Sequence, residues 1–209
     1  MPRFISAENQ ALIEAGVISA RDFMTIFARE RGTGVIVPDS LWSDYGNINA
    51  SVVNPDTGAI ETRAFYGSGN LVAISDIPLV SNLTAQDITV ELSHLAANAE
   101  ALIRQYEVRQ AVIQIFRGLF NIETRRMVSP AYPRFSGFVD RVNITTPAEG
   151  EEGRISLSCT SHTRETLRSN AATRSHESQK LFNPNDTFYV DSASARNWDI
   201  WWGGERGKV

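Results

Sequence analysis

The sequence predicts a mainly β protein of the α+β class, a β-barrel or sandwich with one or two packed helices. Three observations carry this. Stretches with two-residue alternation of apolar and polar side chains recur along the chain. Turn signals built on proline, glycine and asparagine separate them. Helical spacing is confined to short segments, so that strands outnumber helices roughly four to one. The 209 residues are 42% hydrophobic and 21% charged. That matches an ordinary globular chain able to bury a substantial core, and excludes collagen-like, coiled-coil and disordered classes.

Ser6 is the expected N-cap of a helix over Ala7–Ala15, with Gly16 as its stop and Leu12 and Ile13 as a modest apolar face. Residues 22–29, rich in aromatic and β-branched side chains, read as a strand, and 32–38 as a turn with a short return strand. Residues 49–53 and 59–66 flank Asn54-Pro-Asp-Thr-Gly58. There proline presets one φ and glycine accepts a positive one, so a hairpin is expected. Strands are expected at 70–77, closed by Pro78, and at 86–93, where Ile88, Val90 and Leu92 share a face. Residues 96–106 place Ala99, Leu102, Ile103 and Tyr106 at helical spacing.

Residues 108–117 return to period two. Val112, Gln114 and Phe116 oppose Ala111, Ile113 and Ile115, and two largely apolar faces predict a central strand. Residues 118–133 read as an exposed hairpin excursion. Strands at 135–144 and at Arg154–Ser161 enclose an acidic, glycine-flanked tip at 146–153, expected in solvent. Beyond Ser161 the texture changes. A short helix is expected over 163–172, a polar stretch over 173–182, a turn at 183–186, a short strand at 187–190, and an aromatic end at 197–202. A polar tail over 203–209 completes the chain. The expected organisation is one domain over 1–190 and a C-terminal aromatic arm over 191–209.

The net charge of −4 argues against a basic nucleic-acid surface. No apolar run reaches the roughly 18 residues of a membrane helix, and the first ten residues lack a signal-peptide stretch. No membrane anchor and a cytoplasmic site of synthesis are therefore expected. Of the 20 basic residues only Lys180 and Lys208 are lysines. Such arginine bias suits desolvated interface contacts, or reflects codon usage alone. The single cysteine, Cys159, allows no internal disulfide.

A metal site would draw on Cys159, His162, His94 and His176. The Cys159-x-x-His162 spacing suits two ligands at a strand end, but the other two histidines stand far off in sequence. Ser161 and His162 are adjacent on a strand and point to opposite faces, so they do not form a nucleophile–base pair. The acidic residues of the 146–153 tip are neighbours in a loop, unlike a glycosidase pair set across a cleft. Gly67-Ser-Gly69 reads as a bend. No catalytic, cofactor or metal residues are assigned, and the expectation is a protein that is not an enzyme.

Several stretches in order carry a resemblance. They are Val72-Ala-Ile-Ser-Asp-Ile-Pro-Leu79, Asp87-Ile-Thr-Val-Glu-Leu-Ser93 and Val108-Arg-Gln-Ala-Val-Ile-Gln-Ile-Phe-Arg-Gly-Leu-Phe120. Phe135-Ser-Gly-Phe-Val-Asp140 and Ile155-Ser-Leu-Ser-Cys-Thr-Ser-His-Thr-Arg164 follow, and Ser175-His-Glu-Ser-Gln179 precedes Asn185-Asp-Thr-Phe-Tyr189. In this order the chain resembles tail-tip and baseplate proteins of long-tailed phages and gene transfer agents. The hub proteins of the lambda tail-tip protein L class come first and the distal tail proteins next.

The resemblance implies a β-barrel-based homo-oligomeric ring around the tail axis, three-fold for a hub or six-fold for a distal tail protein. Its implied partners are the tail tube protein, the tape measure protein and other tip proteins, with no cofactor. The implied location is the virion tail, assembled in the bacterial cytoplasm. Some hubs carry a cysteine-ligated iron–sulfur domain after the barrel. One cysteine cannot supply it, which leaves the distal tail position open.

Rings need two different, closing patches on each subunit. The candidates are residues 118–133, with Phe120, Arg125 and Arg126, and residues 191–209, with Trp198, Trp201 and Trp202. Tryptophan and arginine are enriched at interface hot spots. Exposed tryptophans also stack on sugars, so a carbohydrate-binding receptor-recognition module is an alternative. A cell-wall hydrolase is another, and it would need a paired acid or metal.

Overall fold

The computed structural model describes residues 5–68, 71–78, 84–93, 104–145, 153–167, 169, 172–192 and 194–197. The chain divides into two compact units, Met1–Leu167 and Arg168–Val209.

In the first unit, Ser6 caps α1 (Ala7–Ala15) as expected. Its hydroxyl accepts from the Asn9 amide, and Gly16 ends the helix at φ 70°. Of the apolar face expected at Leu12 and Ile13, Leu12 is half-buried and Ile13 is exposed. Asn9 is the buried residue of α1, and its amide donates to the Ser129 hydroxyl at 2.7 Å.

Among the described residues nine strands follow: β1 (Ile18–Glu30), β2 (Ile36–Trp42), β3 (Tyr45–Val53), β4 (Ile60–Ser68), β5 (Leu71–Ile74), β6 (Asp87–Ser93), β7 (Tyr106–Asn121), β8 (Tyr132–Thr145) and β9 (Arg154–Ser161). They form one sheet in the order β3-β4-β2-β1-β7-β8-β9-β6-β5. The fold is mainly β, as the alternation predicted.

β7 is central, between β1 and β8. Its register with β1 pairs Phe23 with Phe116 and Thr25 with Gln114 on one face, and Met24 with Ile115 and Ile26 with Ile113 on the other. Both faces are buried there, which is why both are apolar. At one end Phe27 faces Val112 while Arg29 faces Glu107, so β7 bulges, with Gln110 at φ 64°.

The β3–β4 hairpin forms where the turn signal predicted it. Asn54 Oδ1 accepts from the Asp56 amide, and Gly58 takes φ 72°. β5 is shorter than the strand expected over 70–77. The helix expected over 96–106 lies largely outside the described residues, and Tyr106 itself opens β7. The 146–153 tip also lies outside them, except for Gly153.

Two cores result. The larger gathers Met24, Ile26, Ile113, Ile115, Leu157 and Cys159, among others, beneath β6 to β9. The smaller is aromatic: Phe23, Trp42, Phe65, Phe116 and Phe120, with Ala50, Val52 and Ala131. It lies where the sheet curls back on itself. Val52 bridges Ala131, the Val53 amide donates to the Ala131 carbonyl at 2.9 Å, and the Ala131 amide to that of Ser51 at 2.8 Å. Trp42 Nε1 donates to the Gly46 carbonyl at 2.7 Å. A β-carbon on the neighbouring Gly67 would overlap that nitrogen and the Asp44 carbonyl.

α2 (Thr163–Leu167) follows β9. In the second unit α3 (His176–Lys180) is capped by Ser175. Residues 183–186 turn as expected. The strand expected at 187–190 is instead a turn, because Asp186 Oδ1 accepts from the Phe188 amide and the Val190 amide donates to the Thr187 carbonyl. Those local bonds use the groups a ladder would need.

Candidate interaction cleft

β2 and β4 are the one parallel pair in the sheet's order, and they touch at a single register point, Leu41 beside Tyr66. Toward the N-terminal ends of both strands they part. The opening is a cleft of about 810 Å³ between Ile36, Pro38 and Ser40 on one wall and Glu61, Arg63 and Tyr66 on the other. Phe27, Val112 and Gln114 form its floor, and Asn54 and Asp56 of the hairpin turn close one end.

Arg63 is the organising side chain. Its alternation with Glu61 and Phe65 along β4 turns it toward the interior of the curled sheet, where its side chain is only 15% exposed. Nη1 donates to Gln114 Oε1 at 2.9 Å, and Nη2 and Nε donate to Glu61 Oε2 at 2.8 and 3.2 Å. The guanidinium carbon lies 5.6 Å from the ring centres of both Phe27 and Phe116. This geometry combines charge-assisted hydrogen bonds with cation–π attraction.

Glu61 in turn accepts from Asn54 Nδ2 at 2.7 Å. That bond, and secondarily Arg63, hold its carboxyl below the usual carboxylate range. The buried Thr25 and Ser40 hydroxyls bond each other at 3.0 Å beneath β2. The cleft thus holds the paired Arg63 guanidinium and Glu61 carboxylate at its centre, with apolar side chains around them.

The residues singled out in the sequence lie elsewhere. Phe120 is buried in the aromatic core, 6.2 Å from Phe23 and 6.3 Å from Trp42 between ring centres. It closes that core and is not available to a neighbour. The excursion expected over 118–133 shrinks accordingly. β7 runs to Asn121, Phe120 bridges Met127, and the exposed tip is the Asn121–Arg126 turn. Arg125 (φ 53°) and Arg126 sit exposed on that tip, held by the Asn121 side chain accepting from the Glu123 and Thr124 amides. Trp198, Trp201 and Trp202 lie outside the described residues.

Cys159 points into the larger core, where burial pushes its thiol up to about 12. The His162 ring stands edge-on to Phe138 with centres 4.3 Å apart. Among the described residues no three His, Cys, Asp or Glu side chains gather as metal ligands, and no helix is long and apolar enough to cross a membrane.

Sequence reasoning passed over Arg63 and Gln114. The available signal was Gln114 itself, a lone amide between Val112 and Phe116 on a strand face that is otherwise apolar. Comparison of the chain with protein-family models and with curated proteins returns no match.

Proposed function

We propose that the protein is a structural component of the tail tip or baseplate of a phage or phage-like particle. Its role is to form a ring around the tail axis that joins the tail tube to the tip. The observation that carries an assembly role is the second unit. No described residue in it is buried, while Leu181, Phe182 and Phe188 are 85%, 74% and 80% exposed. Local turn bonds hold its backbone, but large apolar side chains left in water at this density mark a surface that another chain covers. The sequence resemblance supplies the setting, and a β-rich first unit suits a ring subunit.

Light scattering on the full chain across a concentration series tests this. A mass of three chains supports the hub position and six the distal tail position. Phe182→Ser together with Phe188→Ser is expected to lower the assembled mass while leaving the circular dichroism of the sheet unchanged. A single-chain mass at every concentration, identical in the variant, overturns the proposal.

A further inference from the structure

One polar group in the cleft between β2 and β4 is left unspent by the fold. Arg63 can only donate, so the Gln114 carboxamide turns its oxygen to Nη1. The Gln114 amide nitrogen, with two N–H donors, then has no hydrogen-bond partner among the described residues. Gln114 is only 3% exposed, and it lines the floor of the cleft. A donor so nearly buried is costly to leave unmet, so the floor favours a ligand oxygen placed against it.

What surrounds that donor narrows the ligand. Phe27 and Val112 present half-buried apolar surface beside Gln114 on the floor. Glu61 Oε1 accepts only from Asn54 and keeps a second lone pair, in a side chain 40% exposed. Tyr66, 44% exposed, supplies an aromatic face on the wall. Arg63 is already paired with Glu61, so the cleft holds no spare cation to attract an anion. Pro38, in the middle of β2, removes an N–H from that wall, which blunts the strand against pairing with an extended peptide. The match is a neutral ligand with an acceptor oxygen beside a small apolar group, and with donors and an apolar face of its own.

We propose that the cleft between β2 and β4 binds a neutral glycan through an N-acetylated hexosamine unit. The acetamido carbonyl accepts from the Gln114 amide, and its methyl group lies against Phe27 and Val112. The acetamido N–H or a ring hydroxyl donates to Glu61 Oε1, and the apolar face of the sugar ring stacks on Tyr66. The cleft volume of about 810 Å³ lies within the range of small-ligand sites. This site goes beyond the assembly reading and does not depend on it.

Titration of the full chain with chitotriose, followed by nuclear magnetic resonance of the side-chain amides, tests it. The probes also include free N-acetylgalactosamine and N-acetylmannosamine, which vary the ring configuration, and cellotriose, which lacks the acetamido groups. An N-acetylated sugar is expected to shift the Gln114 amide pair, and chitotriose to bind at least about tenfold tighter than cellotriose.

Variants supply the second readout. Gln114→Glu keeps an oxygen for Arg63 but removes both donors, and is expected to weaken binding about tenfold. Tyr66→Ala, at an exposed side chain, is expected to weaken it by a similar factor with the circular dichroism of the sheet unchanged. Tyr45→Ala, 87% exposed and outside the cleft lining, is expected to leave it unchanged. A Gln114 amide that shifts with none of the N-acetylated sugars overturns the proposal, as does cellotriose binding as tightly as chitotriose. Binding that survives both cleft variants also overturns it. So does an amide that shifts only with an acetylated alanine tripeptide, which would assign the cleft to extended peptides.

Discussion

Replacing Arg63 by methionine tests the polar centre of the cleft. Met keeps most of the length and removes the charge. Gln114, only 3% exposed, loses the donor to its Oε1, which costs about 1.5 kcal/mol for a buried unsatisfied acceptor. The contacts with Phe27 and Phe116 add about 0.5–1 kcal/mol each at a partly desolvated site. The bridge to Glu61, whose side chain is 40% exposed, adds only about 0.5 kcal/mol because water screens it.

The sum is about 3–4 kcal/mol. For a domain of this size that corresponds to a fall in Tm of about 6–16 °C. Gln114→Leu alone leaves Arg63 Nη1 without its acceptor while the bonds to Glu61 remain. In the double variant both partners are apolar, so the costs do not add. Urea unfolding of the four proteins, followed by circular dichroism, is expected to give a coupling energy of about 2 kcal/mol. Arg63→Lys keeps the charge but loses the planar fork, and is expected to recover less than half of the stability. A coupling below about 0.5 kcal/mol, or an Arg63→Met protein as stable as wild type, would refute the placement of the guanidinium against Gln114.

Three further outcomes follow from other parts of the fold. Gly137→Ala would drive its β-carbon into the Thr160 carbonyl across the β8–β9 ladder and to 3.0 Å from the Phe135 ring. It is expected to cost about 3 kcal/mol in thermal unfolding, and a loss under 1 kcal/mol would contradict the register. Cys159, with its thiol pushed up to about 12 by burial, is expected to resist a thiol reagent at pH 8 until urea unfolds the protein, and rapid labelling of the native chain would contradict its core position.

Asp39 is raised above the ordinary aspartate range, chiefly by burial, with the Ser40 backbone bond opposing. Its neutral form is therefore the one the fold favours. The stability this contributes is present below the ordinary aspartate pKa and lost as pH rises through the folded value. Asp39→Asn should raise Tm at pH 7 and leave it unchanged at pH 3, and a lower Tm at pH 7 would contradict the burial.

Sequence alone determined the elements whose signals are local. The cap at Ser6 and stop at Gly16, the Asn54–Gly58 turn, and the alternation of β6 and β9 depend on φ preferences and period within a few residues. The centrality of β7 was legible for the same reason, since two apolar faces need two covers. Tertiary structure decided what depends on residues distant in the chain. Phe120 looked like an interface residue because it falls in a long stretch that combines arginine with bulky apolar residues, yet the curl that brings Ala131 back to β3 encloses it. Residues 187–190 have strand-like composition, but the Asp186 side chain and the Thr187 carbonyl take their amides first.

The cleft is the clearest case. Nothing in residues 36–42 or 60–68 announces that the two strands lie parallel, meet once and then separate. That follows from the tight turn after Trp42, which sends β3 across to β4 and leaves β4 to meet β2 where Gly67 permits close approach. Alternation places Arg63 on the face of Phe65, but only the packing of Phe27, Phe116 and Gln114 around it turns a surface-type residue into the fixed polar centre of the cleft.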